Sequence, residues 1–164
     1  MASADFFLKI EGIDGESDDA SNKNELQLIS WSWGATNSGS SGLGTGAGSG
    51  KVNMQDFHFV VQMSKASPVL MQSCATGKHI GEAKLTCRKP TGDGGQKAYL
   101  KVTFNDLVIS SYQTGASDGS NVLPVEQISF NYTKIKMEYD QQDAKGNVGK
   151  TVTAKYDTKA NKVW

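Results

Sequence analysis

Apolar and polar residues alternate at period two along most of this chain, and this pattern restricts it to a fold built mainly from strands. Ala83, Leu85 and Cys87 share one face, opposite basic and hydroxyl-bearing residues. Residues 99–104 alternate in the same way, and the turn-forming run 90–95 separates the two segments. This arrangement predicts an antiparallel hairpin.

The alternation changes phase within three longer segments, residues 26–33, 52–63 and 128–139. A slip of one residue moves every later side chain to the other face, so each change predicts a β-bulge or a stretch covered on both faces. Long, bent strands of this kind are typical of a small barrel or an orthogonal sandwich. The sequence therefore predicts a mainly β fold, a small antiparallel β-barrel made of two sheets. If both faces of the strands are buried instead, the outer cover must be another subunit.

One segment carries helix signals. Ser67 is a suitable N-cap, Pro68 fits the first helical position and Gly77 can end the helix. Its apolar stripe consists of Leu70, Met71, Cys74 and Ala75. We expect a short helix that flanks the barrel on its outer side, carries Pro68, Leu70 and Met71, and directs this stripe into the core.

A long uncharged segment separates two of the strand candidates. Residues 34–50 contain seven glycines and four serines, and Leu43 is an isolated apolar residue within them. A connection of this length is uncommon in a compact domain unless it binds something or is disordered. We therefore predict an extended loop over residues 35–50.

Length and charge limit the class of protein. A chain of 164 residues fits one domain, 1–164, with a polar C-terminal segment at 141–164 that holds a turn at 144–147 and a last strand at 151–156. Seventeen basic and seventeen acidic residues cancel. This balance argues against nucleic-acid binding, which usually needs a concentrated basic surface, and it permits self-association.

The N-terminus and the cysteines bear on the compartment. The apolar run at 6–10 is too short for a secretory signal and contains Lys9, and no stretch has the length of a membrane helix. We expect folding in the cytoplasm. Cys74 and Cys87 are then buried thiols in preference to a disulfide.

Motifs for catalysis and for metal or nucleotide binding are weak. Gly115–Gly119 matches G-x-S-x-G, but a strand pattern follows it and both histidines precede it, which contradicts the order of a hydrolase. Gly50-Lys51 resembles a phosphate loop without the following helix. The acidic residues of 14–25 lack the glycine that a calcium loop needs. We expect no enzyme activity and no cofactor.

Two tryptophans stand two residues apart. Trp31 and Trp33 would lie on one face of a strand. Aromatic side chains favour both cores and interfaces, so a core-facing pair and a subunit-contact pair remain open.

Several strings resemble one known family. They include Phe7-Leu8-Lys9-Ile10, Trp31-Ser32-Trp33-Gly34, Lys65-Ala66-Ser67-Pro68 and Gly77-Lys78-His79-Ile80. In this order, and with further matches to Tyr139, they resemble the haemolysin-coregulated protein (Hcp) family of bacterial type VI secretion systems. The resemblance covers nearly the whole chain, and the tryptophan and Gly-Lys-His-Ile strings together are specific.

The resemblance implies a function in assembly. It implies a β-barrel with one flanking helix that forms a hexameric ring, and rings that stack into the inner tube of a contractile injector. The implied partners are other copies of the chain, a spike protein at the tube tip, a contractile sheath and small effector proteins held in the lumen. Release without a signal peptide is also implied, and no catalytic residue is carried over.

The residue patterns and the family resemblance together predict the subunit contacts and leave two alternative functions. We expect subunit contacts at Trp31, Trp33, Leu43, Gly44, Gly46, Lys51 and Val52, whereas the lumen-facing residues remain undefined. The main alternative is a secreted lectin-like β-sandwich that presents a tryptophan. A hydrolase that uses Ser117 is the second alternative.

Overall fold

The computed structural model describes residues 4–39, 51–92, 94–119, 122–143 and 148–164. Within these ranges the chain forms nine strands and one helix. In chain order they are β1 (Asp5–Ile10), β2 (Leu26–Ser32), β3 (Ala35–Asn37), β4 (Val52–Met54), β5 (Phe57–Gln62), α1 (Ser67–Thr76), β6 (His79–Pro90), β7 (Gln96–Gly115), β8 (Val125–Gln142) and β9 (Val148–Asp157).

Six of the strands close into a barrel. Their order is β5-β2-β1-β6-β7-β8, every pair is antiparallel, and β5 returns to pair with β8. One edge of β8 pairs with β7 along nearly its full length. Its other edge is shared, because residues 125–130 pair with β5 and residues 134–142 pair with β9. Strand β9 therefore extends the sheet past the closed barrel, and β3 and β4 form a separate two-stranded ribbon.

The predicted fold class is confirmed. The predicted hairpin joins β6 to β7, where Pro90 pairs with Gln96. The strand expected at 151–156 lies inside β9, whereas the turn expected at 144–147 lies outside the described residues. Cys74 and Cys87 are both free thiols; Cys87 is buried and Cys74 is half-buried.

Aromatic rings fill the centre of the barrel. Phe57, Phe104 and Phe130 are almost fully buried, and their ring centroids lie 4.9 to 5.1 Å apart. Residues predicted to face inward, such as Leu85 and Cys87, are also fully buried. Each large side chain removed from water in this way stabilises the fold by about 1.5–3 kcal/mol.

The first change of phase is a β-bulge, as expected. The pairing of β2 with β5 shifts between Leu28 and Ser30, so that Leu28 is buried, Ile29 is exposed, and Trp31 returns to the core side. The second change has a different cause. Met54 and Phe57 belong to separate strands in separate sheets, because the chain leaves the ribbon at Gln55 and enters the barrel.

The third change involves two strands at once. Asn105 pairs with Lys134 and Leu107 pairs with Tyr132, so the register is the same on both sides of Asp106. Both strands switch their buried face at this level, and Asp106 takes a left-handed conformation with φ of 52°. Because both strands change together, the barrel bends without losing its register.

The N-cap of helix α1 lies one residue before the predicted cap, Ser67. The N-cap is Ala66, and Ser67 is the first helical residue. The Ser67 hydroxyl instead donates to a carboxylate oxygen of the buried Glu126, and this contact ties the helix to β8. The helix ends at the left-handed Gly77 as predicted.

The predicted apolar stripe of α1 is partly wrong. Leu70 is buried, at 1% exposure, but Met71 is 51% exposed and Ala75 is exposed as well. The polar Ser73 lies buried on the packed face instead. A short helix on a curved barrel has a narrow contact strip, so Leu70 and Ser73, which are three residues apart, fill it.

The outer face of β1 is covered by the loop between β1 and β2. Phe7 points away from the barrel interior and is nevertheless buried. The Arg88 guanidinium lies 4.6 Å from the centre of its ring and donates two hydrogen bonds to Asp19, at 2.8 and 3.0 Å. This bidentate pair holds the loop against the barrel and holds the pKa of the Asp19 carboxyl below its usual value.

Candidate assembly surfaces

The core-facing side of the sheet continues beyond the barrel onto β9. Tyr139 on β8 pairs directly with Val152 on β9, and both follow the same alternation as the buried Ile135. Tyr139 is 44% exposed and Val152 is 59% exposed. The barrel does not cover these side chains, because β5 pairs with β8 only as far as Phe130. We call Tyr139, Val152 and the exposed Ala154 the β9 apolar face.

Strand β9 also forms one edge of the sheet. Within the described ranges, β9 is paired with β8 and carries no second strand on its other side. Asp157 at its end bridges to Lys162, and the rest of this edge exposes backbone N–H and C=O groups that another strand can bind. A partner there would satisfy the strand edge and cover the β9 apolar face together.

The structure places Trp31 and Trp33 against the core of their own subunit. The Trp31 ring stacks on Phe57 at 6.1 Å and meets Phe6 edge-on at 6.3 Å. The Trp33 indole N–H donates to the Tyr132 hydroxyl. Both tryptophans stay partly exposed, so a role in subunit contacts remains a prediction.

The predicted loop over residues 35–50 begins with a strand, because residues 35–37 form β3 and pair with β4 in the small ribbon. Val52 pairs with Asn37, and the exposed Lys51 accepts a hydrogen bond at its carbonyl from the Ser38 hydroxyl at 3.4 Å. Leu43, Gly44 and Gly46 lie outside the described residues. The ribbon thus anchors both ends of the loop at one place on the barrel.

The outer side of α1 adds a second exposed apolar area. Pro68, Val69 and Met71 are exposed, whereas Leu70 is directed into the barrel. Leu70 is therefore a packing residue and Met71 is available for contacts.

Sequence reasoning missed the β9 apolar face. The alternation of Ile135, Met137 and Tyr139 predicts only a change of phase within 128–139, and the last strand lies in a segment predicted to be polar. The signal was the length of β8, because eighteen residues exceed what a small barrel can enclose.

The proposed catalytic alternative finds no support in the geometry. Gly115 ends β7, and the described residues that follow form a turn and then β8, not the helix of a nucleophile elbow. The His79 imidazole is paired with Asp106 at 3.0 Å, which keeps the pKa of the Asp106 carboxyl below its usual value. Cys87 is buried, and desolvation raises its thiol pKa to about 11, so it is not a reactive thiolate.

Neither a metal centre nor a membrane helix is found in the part of the chain that the structure describes. The His, Cys, Asp and Glu side chains in those ranges form no group of three that could hold a metal ion. The single helix described, α1, is too short to cross a bilayer. A groove of about 790 Å³ is an open charged surface over β1, β6 and β7 lined by residues such as Lys9, Glu82, Lys84 and Lys101.

Comparison with known proteins identifies the family. The model of the family described as "Type VI secretion system effector, Hcp" matches residues 7–139. "Protein hcp1" of Pseudomonas aeruginosa is 46% identical over 144 residues, which is 88% of each chain.

Solved structures agree with this match. The crystal structure of Hcp1 from Salmonella typhimurium is 36% identical, covers 99% of this chain and 100% of its own, and has a TM-score of 0.79. A type VI secretion system effector from Yersinia pestis is 33% identical with a TM-score of 0.75, covering 93% of this chain and 99% of its own. The sequence match over most of the chain and the shared barrel lead to the same result: this chain belongs to the Hcp family of type VI secretion system proteins.

Proposed function

We propose that this chain is the structural subunit of the inner tube of a type VI secretion system. Six copies form a ring, and rings stack into a tube that is ejected and that carries or shields effector proteins. Membership of the Hcp family supports this proposal, and it disfavours the lectin-like alternative. A tube subunit acts by shape and self-association, so its function requires no catalytic residue.

The observation that carries the proposal is the β9 apolar face. Tyr139 and Val152 continue the interior surface of the barrel into solvent, at an edge that pairs with no second strand in the described ranges. Covering apolar area contributes about 25 cal/mol per Å². A second copy that binds there would gain this energy and satisfy the strand edge, whereas an isolated subunit leaves both exposed.

The loop that connects β3 to β4 is proposed to reach a neighbouring subunit or the next ring. Its ends are fixed by the ribbon of β3 and β4, so it starts from a defined position on the barrel. Ordering a loop costs about 1–2 kcal/mol per residue, which a neighbour's contacts must offset. We propose that Trp31, Trp33, Lys51 and Val52 form the described part of this contact region, with Leu43, Gly44 and Gly46 completing it.

The remaining partners follow from the same proposal. The tube would bear a spike protein at its tip, lie inside a contractile sheath and hold small effectors in its lumen. The subunit would fold in the bacterial cytoplasm and leave the cell through the injector without a signal peptide. Neither nucleic acid nor a lipid bilayer is required as a binding partner.

Oligomeric state is the decisive test. Size-exclusion chromatography with light scattering should give a particle of six times the 17.6 kDa subunit mass. Electron microscopy of the same sample should show rings with a central hole. A monodisperse 17.6 kDa particle at high protein concentration would contradict the proposal.

The loop has its own test. Deletion of residues 39–48 should leave folded rings that stack poorly into tubes, because the deletion spares the ribbon. Tubes of unchanged length in electron micrographs would show that the loop has no role in stacking.

A further inference from the structure

Charge is distributed unevenly along this chain although the total is zero. Residues 1–25 contain seven acidic residues against two lysines, whereas residues 134–164 contain seven lysines against four acidic residues. The question is whether the fold brings these opposite charges together or keeps them apart.

The loop between β1 and β2 forms an acidic rim. Asp14, Glu16 and Asp18 are exposed, while the intervening Gly15 and Ser17 are buried. The backbone here is fixed by hydrogen bonds from the N–H of Gly15 to Asn24 at 2.8 Å and from that of Ser17 to Glu25 at 3.2 Å. The outward direction of the three carboxylates therefore follows from the pairing of the loop.

The β9 end of the sheet carries the lysines. Lys136 on β8 pairs directly with Lys155 on β9, an arrangement of like charges that destabilises a sheet. One carboxylate compensates in part, because Glu138 lies 3.4 Å from the Lys136 ammonium. The Trp164 ring orders two of the lysines, since Lys134 and Lys155 lie 4.9 and 4.7 Å from its centre.

The two charged surfaces do not pair with each other within the part of the subunit that is described. No salt bridge there joins Asp14, Glu16 or Asp18 to a lysine of β8 or β9, and Lys136 pairs with Glu138 instead. Glu16 lies beside the segment between β5 and α1, because it accepts a hydrogen bond from the N–H of Lys65.

We propose that the β9 edge of one copy binds the acidic rim of the next copy. Lys136 and Lys155, which lie on the opposite face of β8 and β9 from the β9 apolar face, pair with Asp14 and Asp18 of the neighbour. Because the two surfaces differ, the contact is head-to-tail, and repetition of it closes a ring. This inference rests on the proposed function and assigns the subunit contact within the ring.

Charge reversal tests the pairing. K136E/K155E gives a chain with two acidic surfaces, and D14K/D18K gives one with two basic surfaces. Each variant alone should need at least about 10-fold higher concentration for half-assembly than the unmodified chain, because like charges then meet at every contact. Light scattering measures this, and K78E/K89E is the matched control, with the same change of charge outside both surfaces.

A mixture of the two variants gives the sharper result. In an equimolar mixture, every contact between unlike variants joins an acidic to a basic surface, so alternating rings should form again. The chain with all four substitutions should likewise assemble by itself. Rings of K136E/K155E that are as stable as the control, or the failure of both the mixture and the fourfold variant to assemble, would overturn the pairing.

The outcome separates this inference from the proposed function. If the unmodified chain forms no ring, the proposed function itself fails. If the unmodified chain forms rings and charge reversal leaves them intact, the tube function stands and only the pairing of β9 with the acidic rim is wrong.

Discussion

Asp106 and Thr133 lie opposite each other at the level where the two longest strands both change their buried face, and the Thr133 hydroxyl donates to the Asp106 carboxylate at 3.0 Å. This contact and the hydrogen bond between Asp106 and His79 fix the Asp106 side chain where the backbone is left-handed. The bend lets β7 and β8 line the closed barrel at one end. At the other end, β8 pairs with β9.

The effect of a substitution at Asp106 on stability should depend on how well the new residue tolerates a left-handed backbone. Asp106→Val should lower the melting temperature by several degrees, because a β-branched residue is strained at φ of 52°. Asp106→Gly should lower the melting temperature less. Glycine tolerates this conformation, although the contacts to His79 and Thr133 disappear. Thermal unfolding followed by circular dichroism distinguishes them, and equal losses for the two variants would mean that the side-chain contacts dominate.

Gly15 should not tolerate a side chain. A Cβ atom at this position would lie 2.5 Å from the carbonyl oxygen of Glu25, and a backbone atom cannot move aside cheaply. We expect Gly15→Ala to destabilise the protein by about 2 kcal/mol or more in urea unfolding. Gly92→Ala is the control, because nothing lies within 4 Å of its Cβ, and it should cost little. Similar unfolding midpoints for the two variants would contradict this reading of the loop.

Two adjacent residues of α1 should behave differently. Leu70→Ala should cost about 2–5 kcal/mol, because it leaves a cavity between the helix and the barrel. Met71→Ala should change stability by less than about 0.5 kcal/mol, because Met71 is exposed. Chemical denaturation measures both, and a large loss for Met71→Ala would show that this side chain is covered.

Two tyrosines should make the fold sensitive to high pH. Desolvation raises the pKa of Tyr132 and that of Tyr112 to about 12, above the ordinary value of 10.0. A group whose pKa is raised by folding stabilises the protein fully below its unfolded pKa, and this contribution is lost as pH rises. Stability should therefore fall between pH 10 and about 12.

Tyr132→Phe is the control for the predicted loss of stability between pH 10 and about 12. Burial also raises the pKa of Tyr99, so spectrophotometric titration should show Tyr99, Tyr112 and Tyr132 ionising late, and Tyr132→Phe should remove one of the three. If every tyrosine titrates near its ordinary pKa in the folded protein, the burial of these hydroxyls is wrong.

The β9 apolar face should affect assembly more than folding. Val152→Lys places a charge on a side chain that is already exposed in the subunit, so the unfolding midpoint of the subunit should change little. The same charge would be buried against a neighbour, and the ring should dissociate at concentrations where the unmodified chain is assembled. Light scattering and circular dichroism separate the two effects; intact rings would exclude Val152 from the contact.

The sequence by itself determined the local elements of this protein. Period-two alternation defined the buried residues Ala83, Leu85 and Cys87, and Pro68 with Gly77 placed the helix. The shift of phase after Leu28 indicated the bulge. These features depend on neighbours in the chain, so the pattern of residue types is enough to reveal them. The order of the family's motifs indicated the secretion system.

Only the tertiary structure decided the long-range relations. The closure of β5 on β8, the burial of Glu126 beside Ser67 and the exposure of Met71 each depend on residues far apart in sequence. The exposed position of Val152 is the clearest case, because its alternation is the same as that of a core strand. Whether such a side chain is buried depends on where the barrel closes, and this is a property of the packed chain that no local pattern encodes.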